Sequence, residues 1–74
     1  MANEAEFEQD RTAWLHSHGY RTHDALEAAI RASDPGLENV SGLSAHIDRY
    51  FKKHGNRGDF ADVLAFVRHD VGLA

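Results

Sequence analysis

The chain has 74 residues, of which 42% are hydrophobic and 27% are charged, and it contains no cysteine. This length allows only one hydrophobic core, and without thiols the chain has neither a disulfide framework nor a thiolate metal site. The formal net charge of −4 makes duplex nucleic acid an unlikely partner, because that binding depends on neutralising phosphates. No apolar run reaches the roughly 20 residues that span a bilayer, which excludes a membrane-embedded chain.

The first amphipathic segment is predicted to be a helix. Asn3 and Glu6 have the spacing of a capping box, in which a side-chain acceptor and a returning acid satisfy the first amides of a helix. Gly19 is predicted to end the segment, because glycine accepts the left-handed conformation that closes a helix. Its apolar stripe consists of Phe7, Trp14 and Leu15.

The second segment is predicted to begin after Thr22, which is a good N-cap residue. It stops at Asp34-Pro35, since proline disfavours helical geometry in the residue before it. The same pair suits the start of a short helical turn through Leu37, because aspartate caps well and proline fits the first helical position.

The third and fourth segments show the most regular helical spacing. Ser41 is predicted to cap the third, which carries Lys52, Lys53 and His54 in its last turn, where cations complement the helix dipole, and Gly55 ends it. The fourth is predicted to begin at Asp59. The combined pattern predicts an all-α bundle of four main helices and a short helical turn. The predicted core comprises Phe7, Trp14, Leu15, Leu26, Ile30, Leu37, Val40, Leu43, Ile47, Tyr50, Phe51, Phe60, Val63, Leu64 and Val67.

We expect this bundle to form one domain over residues 1–74, with a frayed start at 1–4 and a tail at 72–74. The polar, acidic N-terminal residues are the reverse of a secretory signal, so the sequence favours a cytoplasmic location.

Six histidines are unusual for a chain of this length. His16, His18 and His23 form a run that is a candidate metal site, because imidazole is a common metal ligand. The alternative is that they are solvent-facing residues at a helix end, which the helical spacing favours. No nucleophile, base and acid share a pattern that indicates catalysis, so we expect a non-enzymatic protein without a cofactor.

Charged and aromatic residues supply the candidate contacts for a partner. A basic patch at the end of the third helix includes Arg49, Lys52, Lys53 and Arg57, and acidic residues including Glu4 and Glu8 lie in the first helix. We expect these groups to give the domain two oppositely charged ends, an arrangement that suits self-association. Tyr20 has no periodic apolar partner and is therefore predicted to be an exposed contact.

The order of these features resembles the YozE-type SAM-like family of small bacterial helical domains, from about Phe7 to Val71. The resemblance lies in Trp14-Leu15, in Ala25-Leu26-x-x-Ala29-Ile30 followed by Asp34, and in His46-Ile47-Asp48-Arg49-Tyr50-Phe51. Pro35-Gly36 stands where that family has phenylalanine-proline. The resemblance implies a SAM-like bundle, and domains of that type are generally protein-interaction modules, some of which bind RNA.

These observations favour a small protein-interaction module, with self-association as an additional hypothesis. The first alternative is a mobile-element-encoded inhibitor, similar to an anti-CRISPR factor, that binds and blocks a host nucleoprotein complex. The second is metal binding by the histidines. Weak RNA binding through Lys52, Lys53 and Arg57 is a further hypothesis, and it predicts strong salt dependence.

Overall fold

The computed structural model describes residues 4–73, with side chains from Glu6 onward. Its helices are α1 (Glu4–Ser17), α2 (His23–Ser33), α3 (Leu43–His54) and α4 (Phe60–Asp70), with a 3₁₀ turn at Pro35–Leu37. This part of the chain contains no strand. The predicted all-α bundle with four main helices and a short helical turn is therefore confirmed. The predicted cap at Asn3 lies outside the described residues.

Helix α3 occupies the centre of the bundle and packs against α1, α2 and α4. All the hydrophobic side chains that are buried within residues 6–73 belong to the predicted core, and Trp14 at its centre is 0% exposed. Val40, Phe60 and Leu64, also predicted as core, are only half-buried and pack against its edge. Among residues 4–73, no helix has both the length and the apolar character needed to cross a membrane.

Side-chain caps begin α2 and α4 at the residues where the sequence predicts that these helices start. The Thr22 hydroxyl oxygen accepts a hydrogen bond from the Ala25 amide, and Asp59 forms a reciprocal capping box with Asp62. The predicted cap at Ser41 is wrong. Gly42 occupies the N-cap position of α3 in the left-handed conformation, with a φ angle of +68°, and no side chain caps this helix.

The ends of α1 and α4 share one hydrogen-bonding pattern. Gly19 adopts a φ angle of +82°, and the chain then reverses so that the Tyr20 amide donates to the Leu15 carbonyl oxygen at 2.8 Å. This Schellman arrangement satisfies carbonyl groups that the helix leaves free, which explains why Gly19 ends α1. The same pattern at Gly72 and Leu73 closes α4, so these two residues of the predicted tail complete a helix end.

Arg31 holds the segment between the 3₁₀ turn and α3 in place. Its guanidinium donates hydrogen bonds to the carbonyl oxygens of Leu37, Glu38 and Val40, at 3.1, 2.6 and 3.1 Å. This connection has no regular secondary structure, and the three charge-assisted hydrogen bonds to its backbone hold it in place.

Two aspartates join α4 to the rest of the bundle. Asp34 is buried, accepts a hydrogen bond from the Gly36 amide at 3.0 Å and is paired with Arg68 of α4. Asp70 lies 2.5 Å from His46 Nδ1 of α3 and accepts a longer hydrogen bond from Arg49. The hydrogen bond from Arg68 lowers the pKa of Asp34, and the hydrogen bond with His46 lowers the pKa of Asp70.

The lowered pKa values of these two carboxylates predict that the protein loses stability in acid. Because their pKa values are lower in the folded chain than in the unfolded chain, their contribution is complete above the unfolded value of about 3.9 and disappears as the pH falls through the folded values. Thermal unfolding followed by circular dichroism should show a falling melting temperature below about pH 4. The D34N/D70N variant should lose less of its stability over this range. E38Q, a control at an exposed acid, should follow the wild-type curve, and equal acid sensitivity of all three proteins would contradict this account.

Candidate functional site

A small cleft lies between the C-terminal end of α3 and the first turns of α4, with a volume of about 290 Å³. Both helices and the loop that joins them contribute to its walls. We call it the aromatic cleft, and it is lined by Tyr50, His54, Arg57, Gly58, Asp62 and Phe66.

Three rings form the apolar wall of the aromatic cleft. The Tyr50 and Phe66 rings meet edge to face with centroids 5.6 Å apart, and His54 completes the group at 5.0 and 5.7 Å from them. Tyr50 is buried, Phe66 is half-buried and His54 is exposed, so the wall runs from the core to the surface. Edge-to-face packing of this kind fixes the ring positions.

Buried aromatic side chains hold the loop beneath the cleft. The Tyr50 hydroxyl donates a hydrogen bond to the Arg57 carbonyl oxygen, and the Trp14 indole N–H donates to the Gly58 carbonyl oxygen at 3.0 Å. Burial raises the pKa of Tyr50, and the carboxylates of Asp62 and Asp59 raise it further. The phenol therefore keeps its proton at neutral pH and remains a donor to the loop.

Gly58 is required by this arrangement for two reasons. Its φ angle is +83°, which disfavours any residue with a Cβ atom. A Cβ atom at this position would also overlap the Tyr50 hydroxyl and lie 2.9 Å from Asp62 Oδ2. The close approach of the loop backbone to Tyr50 thus depends on glycine.

The predicted basic patch is divided by the fold. Arg49 donates to Asp70, and the Lys52 ammonium lies 4.9 Å from the centroid of the Phe7 ring. Lys53 and Arg57 are exposed and have no ion pair, side-chain hydrogen bond or ring contact within residues 4–73. These two cations are therefore the part of the patch that has no internal contact among the described residues.

The acidic start of α1 lies beside this patch. The contact between Phe7 and Lys52 brings the two regions together, and the Asp10 carboxylate lies next to Gly55 at the end of α3. The expectation of two oppositely charged ends is therefore wrong, because α1 packs alongside α3. Glu4 begins α1, and Glu8 lines a depression formed by the outer surface of that helix alone.

The structure does not bring the three candidate metal-binding histidines together. His18 stacks on Trp14 with ring centroids 3.9 Å apart, and its Nδ1 atom lies 2.9 Å from the Trp14 carbonyl oxygen. His16 is exposed, and the Nε2 atom of His23 lies 3.1 Å from Asp48 on α3. Besides Asp48, the Asp24 and Glu27 carboxylates lie near His23, with the ligand atoms of these three α2 residues within 4.8 Å of one another.

Tyr20 is not the freely exposed contact that the sequence predicts. It is half-buried, and its ring lies nearly parallel to that of Trp14 at an interplanar angle of 9°. The reversal of the chain at Gly19 turns Tyr20 back onto the core. Short-range periodicity misses this contact because the contact depends on the turn after the helix.

Sequence reasoning assigned Tyr50 to the core and noted Arg57 as basic, but it did not bring them into one site with Phe66. The sequence feature that could have indicated this site was the presence of an aromatic residue on each of two successive predicted helices, Tyr50 on the third and Phe66 on the fourth. The structure thus defines a small all-α bundle with one cleft walled by rings from two helices. Comparison of the chain with family models, curated proteins and solved structures found no match.

Proposed function

We propose that the protein is a small, non-enzymatic, cytoplasmic protein-interaction module. Its contact surface is the aromatic cleft, and the occupant is an apolar side chain of a partner protein. The observation that supports this proposal is the wall of three rings at the surface end of the bundle. Aromatic residues are enriched where protein partners bind, because they offer a large apolar area at a small entropic cost.

The size of the cleft favours a side chain over a larger ligand. Its volume of about 290 Å³ is near the lower limit of roughly 300 Å³ for small-molecule pockets. The depression on α1 is larger, at about 520 Å³, but one helix forms it and no ring lines it. The aromatic cleft, in contrast, has walls from two helices and the loop between them.

The polar groups of the cleft support a binding role. The Tyr50 hydroxyl is bonded to a backbone carbonyl, and Asp62 accepts a hydrogen bond from the Asp59 amide. Neither the Tyr50 hydroxyl nor the Asp62 carboxylate forms a hydrogen-bonded nucleophile–base pair with His54, which is the arrangement that nucleophilic catalysis requires. The resemblance to SAM-like domains, which stays a prediction, agrees with a module for protein recognition.

Photo-crosslinking from the cleft tests the proposal. The photoreactive residue benzoylphenylalanine replaces His54 in one variant and His16 in a matched control, because both histidines are exposed. We expect crosslinking of a discrete protein in an extract of the source cells from position 54 and not from position 16. A second copy of the chain or a subunit of a nucleoprotein complex would be identified in the same experiment.

The captured protein is then purified and its affinity is measured by calorimetry. H54A should weaken binding by about tenfold, since truncating one well-packed contact costs about 1.4 kcal/mol, whereas H16A should bind as the wild type does. The proposal is wrong if position 54 yields no crosslink above that of position 16, or if H54A binds the purified protein unchanged.

A further inference from the structure

We infer that the first turns of α2 form a binding site for a divalent transition-metal ion such as zinc, with His23, Asp24 and Glu27 as its ligands. The ligand atoms of these three side chains lie within 4.8 Å of one another. We call this group the α2 metal site. None of its residues lines the aromatic cleft, so metal binding here is a function separate from the proposed one.

The spacing of the three residues along α2 brings their side chains together. Glu27 is four residues after His23 and three residues after Asp24, and side chains at these intervals are neighbours on one face of a helix. Nitrogen and oxygen bind zinc at about 2.0–2.2 Å, so the ligand atoms of a tetrahedral site lie about 3.4 Å apart. The α2 residues are therefore already close to the separations that one bound ion requires.

The His23 ring is held by a carboxylate from outside the α2 metal site. Asp48 Oδ1 on α3 lies 3.1 Å from His23 Nε2, and Arg11 donates to the same oxygen at 2.7 Å. The other ring nitrogen, Nδ1, has no hydrogen-bond partner among the described residues. A histidine that binds a metal through one nitrogen usually has its second nitrogen bonded to a carboxylate or a carbonyl group. The contact with Asp48 supplies this support for His23.

The Glu27 carboxylate is also held from outside the site. Arg31 donates to Glu27 Oε1 at 3.2 Å, and the same guanidinium is fixed by three backbone carbonyl oxygens of the connection before α3. Asp24 is exposed, and its carboxylate has no partner in the part of the chain that the structure describes. Two ligands are thus positioned in advance, and the third is free to close on an ion.

The donor atoms of the α2 metal site determine which ion it prefers. One imidazole nitrogen with two carboxylate oxygens suits zinc, nickel and copper ions, whereas magnesium and calcium prefer sites made of oxygen alone. The guanidinium groups of Arg11 and Arg31 offset part of the negative charge around the site, and the α2 dipole is positive at this end. We therefore expect selective binding of moderate affinity.

Calorimetric titration of the metal-free full chain with zinc chloride tests the inference. We expect one zinc ion per chain and much weaker binding of magnesium chloride. H23A should bind zinc at least about tenfold more weakly, because it removes the nitrogen ligand. D24N/E27Q should have an effect of the same size, because it replaces both charged oxygen ligands with neutral amides of the same shape.

The variant H16A/E38Q is the matched control, because it also removes one histidine and changes acid to amide, at exposed positions outside the site. It should bind zinc as the wild type does. Circular dichroism verifies that each variant is folded, and D24N/E27Q keeps the test valid if H23A loses stability with its contact to Asp48. In ¹⁵N NMR spectra, zinc should shift the amide signals of residues 23–27 most strongly.

Four outcomes would overturn the inference. They are the absence of saturable zinc binding up to about 1 mM, equally tight binding of magnesium, unchanged zinc binding by D24N/E27Q, and a loss of affinity in H16A/E38Q as large as that in H23A. None of them bears on the proposed function, because crosslinking from His54 reports on a cleft formed by α3 and α4.

Discussion

Replacing Trp14 with alanine is expected to remove most of the stability of this chain. Trp14 is 0% exposed, lies among the rings of His18, Tyr20 and Phe51, and donates a hydrogen bond to the loop under the cleft. Truncating a buried tryptophan costs about 3–5 kcal/mol, and loss of the hydrogen bond to the Gly58 carbonyl oxygen adds about 0.5–1.5 kcal/mol. A chain of this length has about 4–11 kcal/mol in total.

Urea unfolding followed by far-UV circular dichroism measures this effect without relying on tryptophan fluorescence. W14F keeps an aromatic ring but loses the N–H donor, so its urea midpoint should lie between those of W14A and the wild type. T12A, at an exposed position of the same helix, should change the free energy of unfolding by less than about 0.5 kcal/mol. A W14A midpoint close to the wild-type value would contradict the central role of Trp14 in the core.

Replacing Gly58 with alanine is expected to have the second-largest effect, about 2–4 kcal/mol. The positive φ angle accounts for about 1–2 kcal/mol of this value. The remainder arises because the new Cβ atom displaces the Tyr50 hydroxyl, which then loses its hydrogen bond to the Arg57 carbonyl oxygen. The same displacement alters the cleft, so G58A should also bind the cleft partner more weakly.

Gly42 supplies the matched control for this substitution. Its φ angle of +68° is also positive, but an added Cβ atom would meet nothing within 4 Å. G42A should therefore show only the conformational part, about 1–2 kcal/mol, in the same urea experiment. Equal destabilisation by G42A and G58A would show that the close approach of Tyr50 to Gly58 contributes nothing to stability.

The helices and the core of this fold could be predicted because both follow from local spacing. Apolar residues at helical intervals, together with Leu37 in the short turn, identified the hydrophobic side chains that are buried among the described residues. The cap at Thr22, the start of the fourth helix at Asp59 and the turn at Asp34-Pro35 were predicted from the chemistry of individual residues, and the structure confirms them.

The features that the sequence did not reveal depend on the path of the chain between helices. The choice of Gly42 over Ser41 as the N-cap of α3 is set by the turn from Val40, which places glycine in the left-handed conformation. The parallel stacking of Tyr20 on Trp14 follows from the reversal at Gly19. Neither the N-cap at Gly42 nor the stacking of Tyr20 on Trp14 can be predicted from the spacing of residues within a single helix.

The candidate site could be predicted only in fragments for the same reason. The basic residues of α3 were noted together, but the packing of α1 and α4 against that helix determines which of them stay unpaired. Lys52 contacts the Phe7 ring of α1, and Arg49 donates a hydrogen bond to Asp70 of α4. Arg57 lines the cleft and has no such contact among the described residues. The cleft itself needs the crossing of two helices, which periodicity does not specify.

The central position of α3 has a consequence for how the chain comes apart. Because α1, α2 and α4 all pack against α3, the loss of α3 would remove the main apolar contact of each of the other helices. Partial unfolding that releases α3 therefore exposes the apolar faces of all three neighbours at once. We therefore expect the bundle to unfold as one cooperative unit, with no stable half-formed species between the folded and unfolded chains.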